Sequence, residues 1–338
     1  MRWLFAALLC LAAAVGVSGS NKAPKDAAVT GSVFPARLSE YGFFNGRADR
    51  PSSQLIAYRL RTPLFSDYAE KQRFLYLPAD SRLEVDREGR IEFPVGTALI
   101  KSFGYPAAKG KLKIIETRLL LHRTDGWVAL PYVWRADGSD ADLKVGGARL
   151  PATIRHADGR QEAISYAVPN KNQCKQCHSS RNEIEPIGSI WQNMIFSSEA
   201  DRTQLRARAS FPRNGLFGES IWDDPKSGTV EQRALAYLRV NCGHCHRPTG
   251  SASNSGLFYD DIIGGEAAMG IGKRPVAAGR GAGNFDFVIE PGHPERSILL
   301  YRMKSTDPGI AMPEVGRATV HVEGVALLEQ WIKEMKSR

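Results

Sequence analysis

KLKIIETRLLLHRTDGWVALPYVW, residues 111–134, decides the fold. Apolar and polar side chains alternate through both halves, and Thr124-Asp125-Gly126 interrupts them. Asp-Gly between two alternating runs is favoured in a tight β-hairpin turn, because glycine takes the positive φ that the turn demands. The arrangement recurs downstream, where ARLPATIRH (148–156) and EAISYAVP (162–169) flank Asp158-Gly159. Upstream, FPVGTALIKSF (93–103) supplies another strand, with Gly96 marking a turn or bulge. LSEYGFF (38–44) and TPLFSDYAEKQRFLYLP (62–78) are aromatic-rich and punctuated by Pro63 and Pro78, as the edge of a folded unit would be. An antiparallel β domain is therefore expected over residues 38–170.

Directly after that sheet, NQCKQCH (172–178) carries Cys174, Cys177 and His178, and AYLRVNCGHCHRPTG (236–250) repeats the signature as Cys242, Cys245 and His246. Each is a C-x-x-C-H, the pattern that attaches a haem through two thioethers while the adjoining imidazole takes the iron. Two residues between the cysteines let one helical turn reach both vinyl carbons of a single porphyrin. Other chemistries fit less well. A zinc ribbon wants its cysteine pairs about 15–20 residues apart, far closer than these, and a thioredoxin-like dithiol needs only one C-x-x-C and no histidine after it. Two covalently bound haem c groups are the expected cofactors, with Cys174, Cys177, Cys242 and Cys245 attaching them and His178 and His246 as proximal iron ligands. His244, between two cysteines, reads as a surface residue.

Residues 1–20, MRWLFAALLCLAAAVGVSGS, have one basic residue, an apolar run too short to span a bilayer comfortably, and small residues at the end. They read as a signal peptide, which implies export to the periplasm and no stable membrane span after its removal. Cys10 leaves with that segment, so every remaining cysteine belongs to a C-x-x-C-H, and a disulfide framework is excluded. The polar stretch over 21–37 reads as a linker. The 338 residues carry a formal charge of +9, which haem propionates would reduce; a mildly basic holoprotein suits an acidic redox partner. No basic run with interleaved aromatics points to nucleic acid.

Residues 171–228 read as a mixed, mostly helical first haem-attachment segment, with a helix starting at Ser198. Over 229–338 the pattern is helical. Thr229 and Gln232 form a capping box, and Leu235, Leu238 and Cys242 share one helical face. The Gly-rich stretch 264–283 is expected to wrap a macrocycle edge, and a last helix spans about Glu323 to Lys336 with Leu328, Trp331 and Met335 on its apolar face. The expected fold class is α+β: an N-terminal antiparallel β-sheet domain followed by an all-α class I cytochrome c-like domain. The sixth ligand of the second haem is placed at Met312, in the irregular loop GIAMPEVG, in preference to Met303 in the apolar run ILLYRM. For the first haem, His122 on the sheet is the leading candidate; Met194, His156 beside a turn and an open site are the alternatives. His293 reads as solvent-facing.

Those stretches, together with PVAAGRGAG (275–283), EPGHPERSILLYRMKSTDPGIAMPEVGR (290–317) and EGVALLEQWI (323–332), resemble a family of exported bacterial dihaem c-type cytochromes over nearly all of the chain after residue 20. The resemblance implies haem binding and periplasmic electron transfer, with Cys174, Cys177, His178, Cys242, Cys245, His246 and Met312 in the corresponding positions. The first half is also similar to sheet-based cytochromes of the c-prime-beta class and their hydroxylamine-oxidising relatives, which leave one iron face open and would put Lys101 near the porphyrin. The leading expectation is a two-haem electron carrier rather than a catalyst. The alternative is a haem enzyme acting on a small oxidant or nitrogen species at a five-coordinate first haem, and a third reading is a sensor of diatomic gases.

Overall fold

The computed structural model describes residues 23–107, 110–188, 190–212, 220–260, 265–276 and 278–336. The stretch 1–20 read as a signal peptide, with Cys10, lies outside the described residues. The first strands are β1 (Ile56–Leu60), β2 (Glu70–Tyr76), β3 (Leu83–Val85), β4 (Ile91–Glu92) and β5 (Ala98–Pro106), followed by β6 (Leu112–Arg123), β7 (Gly126–Trp134) and β8 (Ala141–Leu143). After the hairpin β9 (Ala148–Arg155) and β10 (Gln161–Val168) come the short β11 (Ser179–Ser180), β12 (Glu183–Ile184), β13 (Met194–Phe196) and β14 (Ala209–Ser210). Seven of these make one antiparallel sheet in the order β13-β1-β2-β5-β6-β7-β8. The β6–β7 register ends at Arg123↔Gly126, so the loop is Thr124-Asp125 and Gly126, at φ 102°, opens β7. β9 and β10 pair apart from that sheet, their Ile154, Ile164 and Tyr166 packing against Phe103 and Tyr105.

Both faces of the sheet are covered, and the apolar run Leu119-Leu120-Leu121 is the reason: alternate side chains leave on opposite faces, so three in succession need cover on both. Leu119 and Leu121 join Phe74, Ile100 and Leu130 under Leu38, Tyr41, Phe43 and Val29. Fully burying such a side chain contributes roughly 1.5–3 kcal/mol. That demand draws in α1 (Asp26–Thr30), where a polar linker over 21–37 was expected: Val29 is fully buried, and Tyr76 donates to Asp26 at 2.6 Å. Leu120 belongs to the other face, with Leu75, Leu99 and Ala129, and is covered by Cys174, Met194 and Leu205. The covering elements are α2 (Lys171–His178) and α3 (Glu199–Ala207), whose N-cap Ser198 accepts from Asp201 N, while Met194 comes from the sheet's own edge strand β13.

The expected all-α class I cytochrome c-like domain over 229–338 is not what forms. The chain is β-rich around one large antiparallel sheet, and the described helices are seven and short. After residue 228 come α4 (Val230–Asn241), α5 (Gly265–Met269), α6 (Ile298–Lys304) and α7 (Val322–Glu334), joined by irregular chain with two isolated parallel bridges, Ile271↔Ile289 and Phe287↔Ser297. The capping box and apolar period do specify α4 and α7, which pack through Ala234, Tyr237, Leu238, Leu328, Trp331 and Ile332. A Cβ at Gly324 would overlap the Tyr237 ring, so the two helices need glycine there. Between them glycine and proline recur, and at about 1 and 3 kcal/mol per interior helical position they forbid further long helix. Nor does this part stand apart from the sheet. Asp67 accepts from the backbone N–H groups of Ala318 (2.6 Å) and Thr319 (3.1 Å), Phe65 N donates to Asn241 (2.8 Å), and Tyr68 donates to Glu323 (2.7 Å). Among the described residues no helix is long and apolar enough to cross a membrane.

Candidate functional site

Asn170 and Gln173 start α2 through a reciprocal capping box, each side chain accepting from the other's backbone N–H at 3.0 and 2.8 Å. The helix then lays Cys174 into the apolar face of the sheet and brings Cys177 to a cavity. His178 ends it. Its Nδ1 lies 2.9 Å from the Glu185 carbonyl oxygen, which can only accept, so Nδ1 carries the proton and the Nε2 lone pair is free. Burial pushes the imidazole down to about 4, which keeps it neutral at pH 7.

The second motif is a turn rather than a helix. Cys242 caps the C-terminus of α4, and both Cys245 N and His246 N donate to the Cys242 carbonyl, at 3.1 and 2.9 Å. His246 Nδ1 is 3.1 Å from Ser255 Oγ, whose own proton goes to the Ala252 carbonyl at 2.7 Å. The serine therefore accepts, and again Nε2 is the free nitrogen. Tyr259 stands edge-on to this imidazole at 5.6 Å, and burial lowers the His246 pKa.

Tertiary structure brings the two motifs together. Cys177, His244 and Cys245 present ligand atoms within 4.8 Å of one another. The hydrogen bond between the two sulfurs raises the Cys177 thiol and lowers Cys245. Burial raises Cys174, against the charge of Arg118, and burial with the neighbouring Cys245 takes Cys242 up to about 12. All four cysteines are free of disulfides. Arg247, next to His246, pairs with Glu185, whose carbonyl holds His178, and Arg181 N donates to the Thr249 carbonyl at 3.3 Å. The shared cavity is about 2230 Å³, more than twice the upper end of the roughly 300–1,000 Å³ of an ordinary small-molecule pocket. Buried donors without partners, Arg73 Nη2, Arg247 Nε, Arg317 Nε and Tyr259 OH, belong to residues on its wall.

The remaining sequence candidates are distributed unevenly. Met312, half-buried, is on the cavity wall, its loop held where Met312 N donates to the Arg302 carbonyl at 3.1 Å. Met303 also borders the cavity but belongs to the helical core at 7% exposure. His122 is on the wall too, stacked on Trp127 at 4.5 Å with Nδ1 on the Phe93 carbonyl at 2.8 Å, so its Nε2 is likewise unblocked. Met194 is core, paired across β13–β1 with Leu60. His156 is turned to Glu162 at 2.9 Å, and His293 is exposed beside Glu295.

His244 is not the surface residue expected; it lines the cavity with a buried, unpartnered Nδ1, because the first motif packs over it. His321 was missed. It faces the cavity, stacks on Phe65 at 4.1 Å and sits 2.9 Å from the Tyr237 hydroxyl, burial pushing it down to about 4. Its sequence surroundings carry no motif. Arg73 and Arg118 were also missed as site residues; each stands beside an apolar run of its strand, Phe74-Leu75-Tyr76 and Leu119-Leu120-Leu121, and that neighbourhood is the signal. No family model, no curated protein and no solved structure matches the chain.

Proposed function

We propose that the chain is an exported dihaem c-type protein that carries electrons through two covalently held haems in the periplasm and passes them to a redox partner. The observation that carries this reading is the convergence of both C-x-x-C-H segments on one cavity, each with its histidine tethered through Nδ1 and its Nε2 left free. Four unbridged thiols, two neutral imidazoles and unpartnered buried donors on the wall are the donor set that two such groups need. When bound, haem iron supplies reversible one-electron chemistry.

The chain's own part is binding, orientation and exclusion of water. Glu185 O and Ser255 Oγ fix ring orientation and tautomer, which raises the basicity of the free nitrogens. Leu99, Leu120 and Ala129 pack with Cys174 and keep that end dry. Met312 is the sixth-ligand candidate for the second site, where a thioether raises the potential relative to a second histidine. His122 is the candidate for the first. The cationic sheet wall beside the first motif favours a second reading, a haem enzyme for a small oxidant or nitrogen species with that iron open on one side.

The test is expression in a host with an intact haem-ligation system. Two haems per chain, surviving denaturing electrophoresis and staining for peroxidase activity, are expected. A colourless band, or a zinc-loaded protein, overturns the proposal. Low-spin signals from both irons support the carrier; one high-spin ferric signal with rapid CO binding supports the enzyme.

A further inference from the structure

Three cations stand in one row across neighbouring strands of the sheet. Arg73 of β2 is in direct register with Lys101 of β5, and Lys101 with Arg118 of β6; Tyr58 of β1 continues the row at one end and Pro131 of β7 at the other. Tyr58, Arg73, Lys101 and Arg118 all line the cavity. Adjacent strands are about 4.7–4.9 Å apart, so the three charged side chains leave the sheet within roughly 10 Å. Like charges directly opposite one another are destabilising.

Compensation for that repulsion is incomplete. Arg118 is gripped by Glu116 at 2.7 and 2.9 Å, and Glu116 also accepts from Tyr166 at 2.6 Å, so this carboxylate is directed at Arg118 and offsets the charge of Lys101 only at a distance. Arg73 is only 6% exposed, and its Nη2 has no hydrogen-bond partner. The Lys101 ammonium lies over the Phe103 ring at 4.8 Å. Lys71, on the same face, is turned to the Leu64 carbonyl at 2.8 Å. Asp67, the other carboxylate acting nearby, already accepts two backbone N–H groups.

We propose that the Arg73–Lys101–Arg118 row is the seat of one oxyanion group, a carboxylate or a small inorganic oxyanion, reached from the cavity beside the first C-x-x-C-H segment. Arg73 offers a guanidinium edge and Lys101 a point charge one strand away, so a group with two or more oxygens meets both through charge-assisted hydrogen bonds. Without the anion, burial among Arg73, Lys71 and Arg118 pushes Lys101 far below its ordinary value, and Arg73 is lowered by burial as well. An anion reverses both penalties. The seat adjoins the motif, since charge on Arg118 acts on Cys174 and charge on Lys101 and Arg118 on His178.

Two sources share this chemistry: the propionate of a porphyrin held by the first motif, and a free ligand. The inference rests on the haem proposal only for the first source. Acetate and nitrite are to be titrated calorimetrically, against chloride at matched ionic strength, into the holoprotein and its Arg73→Gln and Lys101→Met variants. Propionate carboxylate bands are followed by infrared difference spectroscopy in the same samples. One anion bound per wild-type chain, weakened about tenfold or more in both variants, identifies a free oxyanion. No binding of added anion, with carboxylate bands that move in both variants, identifies the propionate. Neither binding nor band shifts overturns the seat. Thermal unfolding guards against misfolded variants: where the seat is empty in the holoprotein, removing a crowded buried cation leaves Tm unchanged or raised, and where a propionate fills it Tm falls together with a carboxylate band shift, so a collapse of Tm in both variants with unmoved carboxylate bands also overturns it. A chain that stains negative for haem yet binds acetate keeps the seat and loses the haem proposal, so the two fail separately.

Discussion

The first C-x-x-C-H segment is a capped eight-residue helix laid on a β-sheet, whereas the second is the turn that follows a twelve-residue helix in a helical core. Around the first stand Lys101, Arg118 and Glu116, with His122 further along the wall; around the second stand Tyr259, Leu300 and Met303, while the Met312 loop reaches the first segment where Gln176 donates to Glu314 at 3.4 Å. The same five-residue signature thus meets a sheet wall that mixes apolar and charged side chains in one place and a mainly apolar helical core in the other. On the proposed function, attachment would be a property of the motif, whereas the second ligand, the local dielectric and therefore the potential would belong to the surroundings. Unlike surroundings would then set unlike potentials and give electron flow a direction.

The largest expected effect tests whether the segments act independently. Replacing Cys174 and Cys177 by Ala should halve the haem per chain, and replacing Cys242 and Cys245 should do the same, measured as haem absorbance per unit protein; loss of both groups from either variant would break the comparison. Next in size is Glu116→Gln beside the first segment. Its side chain is fully buried against Arg118, and breaking such a pair costs about 3–5 kcal/mol in denaturant unfolding. The apolar counterpart is Leu328→Ala, at 0% exposure in the helical core, where about 2–5 kcal/mol is expected with no change in salt dependence. Smaller again are the caps: Asn170→Ala on α2 and Thr229→Ala on α4 each cost about 1 kcal/mol.

The last test is a pH dependence that arises on the sheet side. Burial, with Arg73 and Arg118 nearby, pushes Lys71 down to about 7 from 10.5, Asp67 opposing. Because the folded chain releases this proton first, the unfolded state binds more protons between those two values, and stability rises with pH across that window. The contribution is complete above about 10.5 and lost as pH falls through about 7. Lys71→Met should flatten the profile; an unchanged slope would remove Lys71 as its source.

Much of this was legible in the chain. The Asp-Gly hairpins, the capping box at Thr229 and the N-cap at Ser198 are local signals, each decided within a few residues, and each appears where expected. The all-α C-terminal domain was not there to be found, because two well-specified helices were read as evidence for a whole helical fold while the glycine and proline between them were read only as a loop. Val29 shows the opposite case: a residue in a polar stretch becomes core because Leu119 and Leu121 leave an uncovered face above it.

By itself the sequence determined which side chains the proposed chemistry would use, four cysteines in pairs with two residues between and the histidine after each pair, and which strands alternate. Only the tertiary structure decided that Cys177 and Cys245 meet, that His178 and His246 are each tethered through Nδ1, and that Arg73, Lys101 and Arg118 fall into one row. The reason is range. A turn or a cap is fixed by neighbours along the chain, but strand register and the packing of one motif on another are set by burial between segments far apart in sequence.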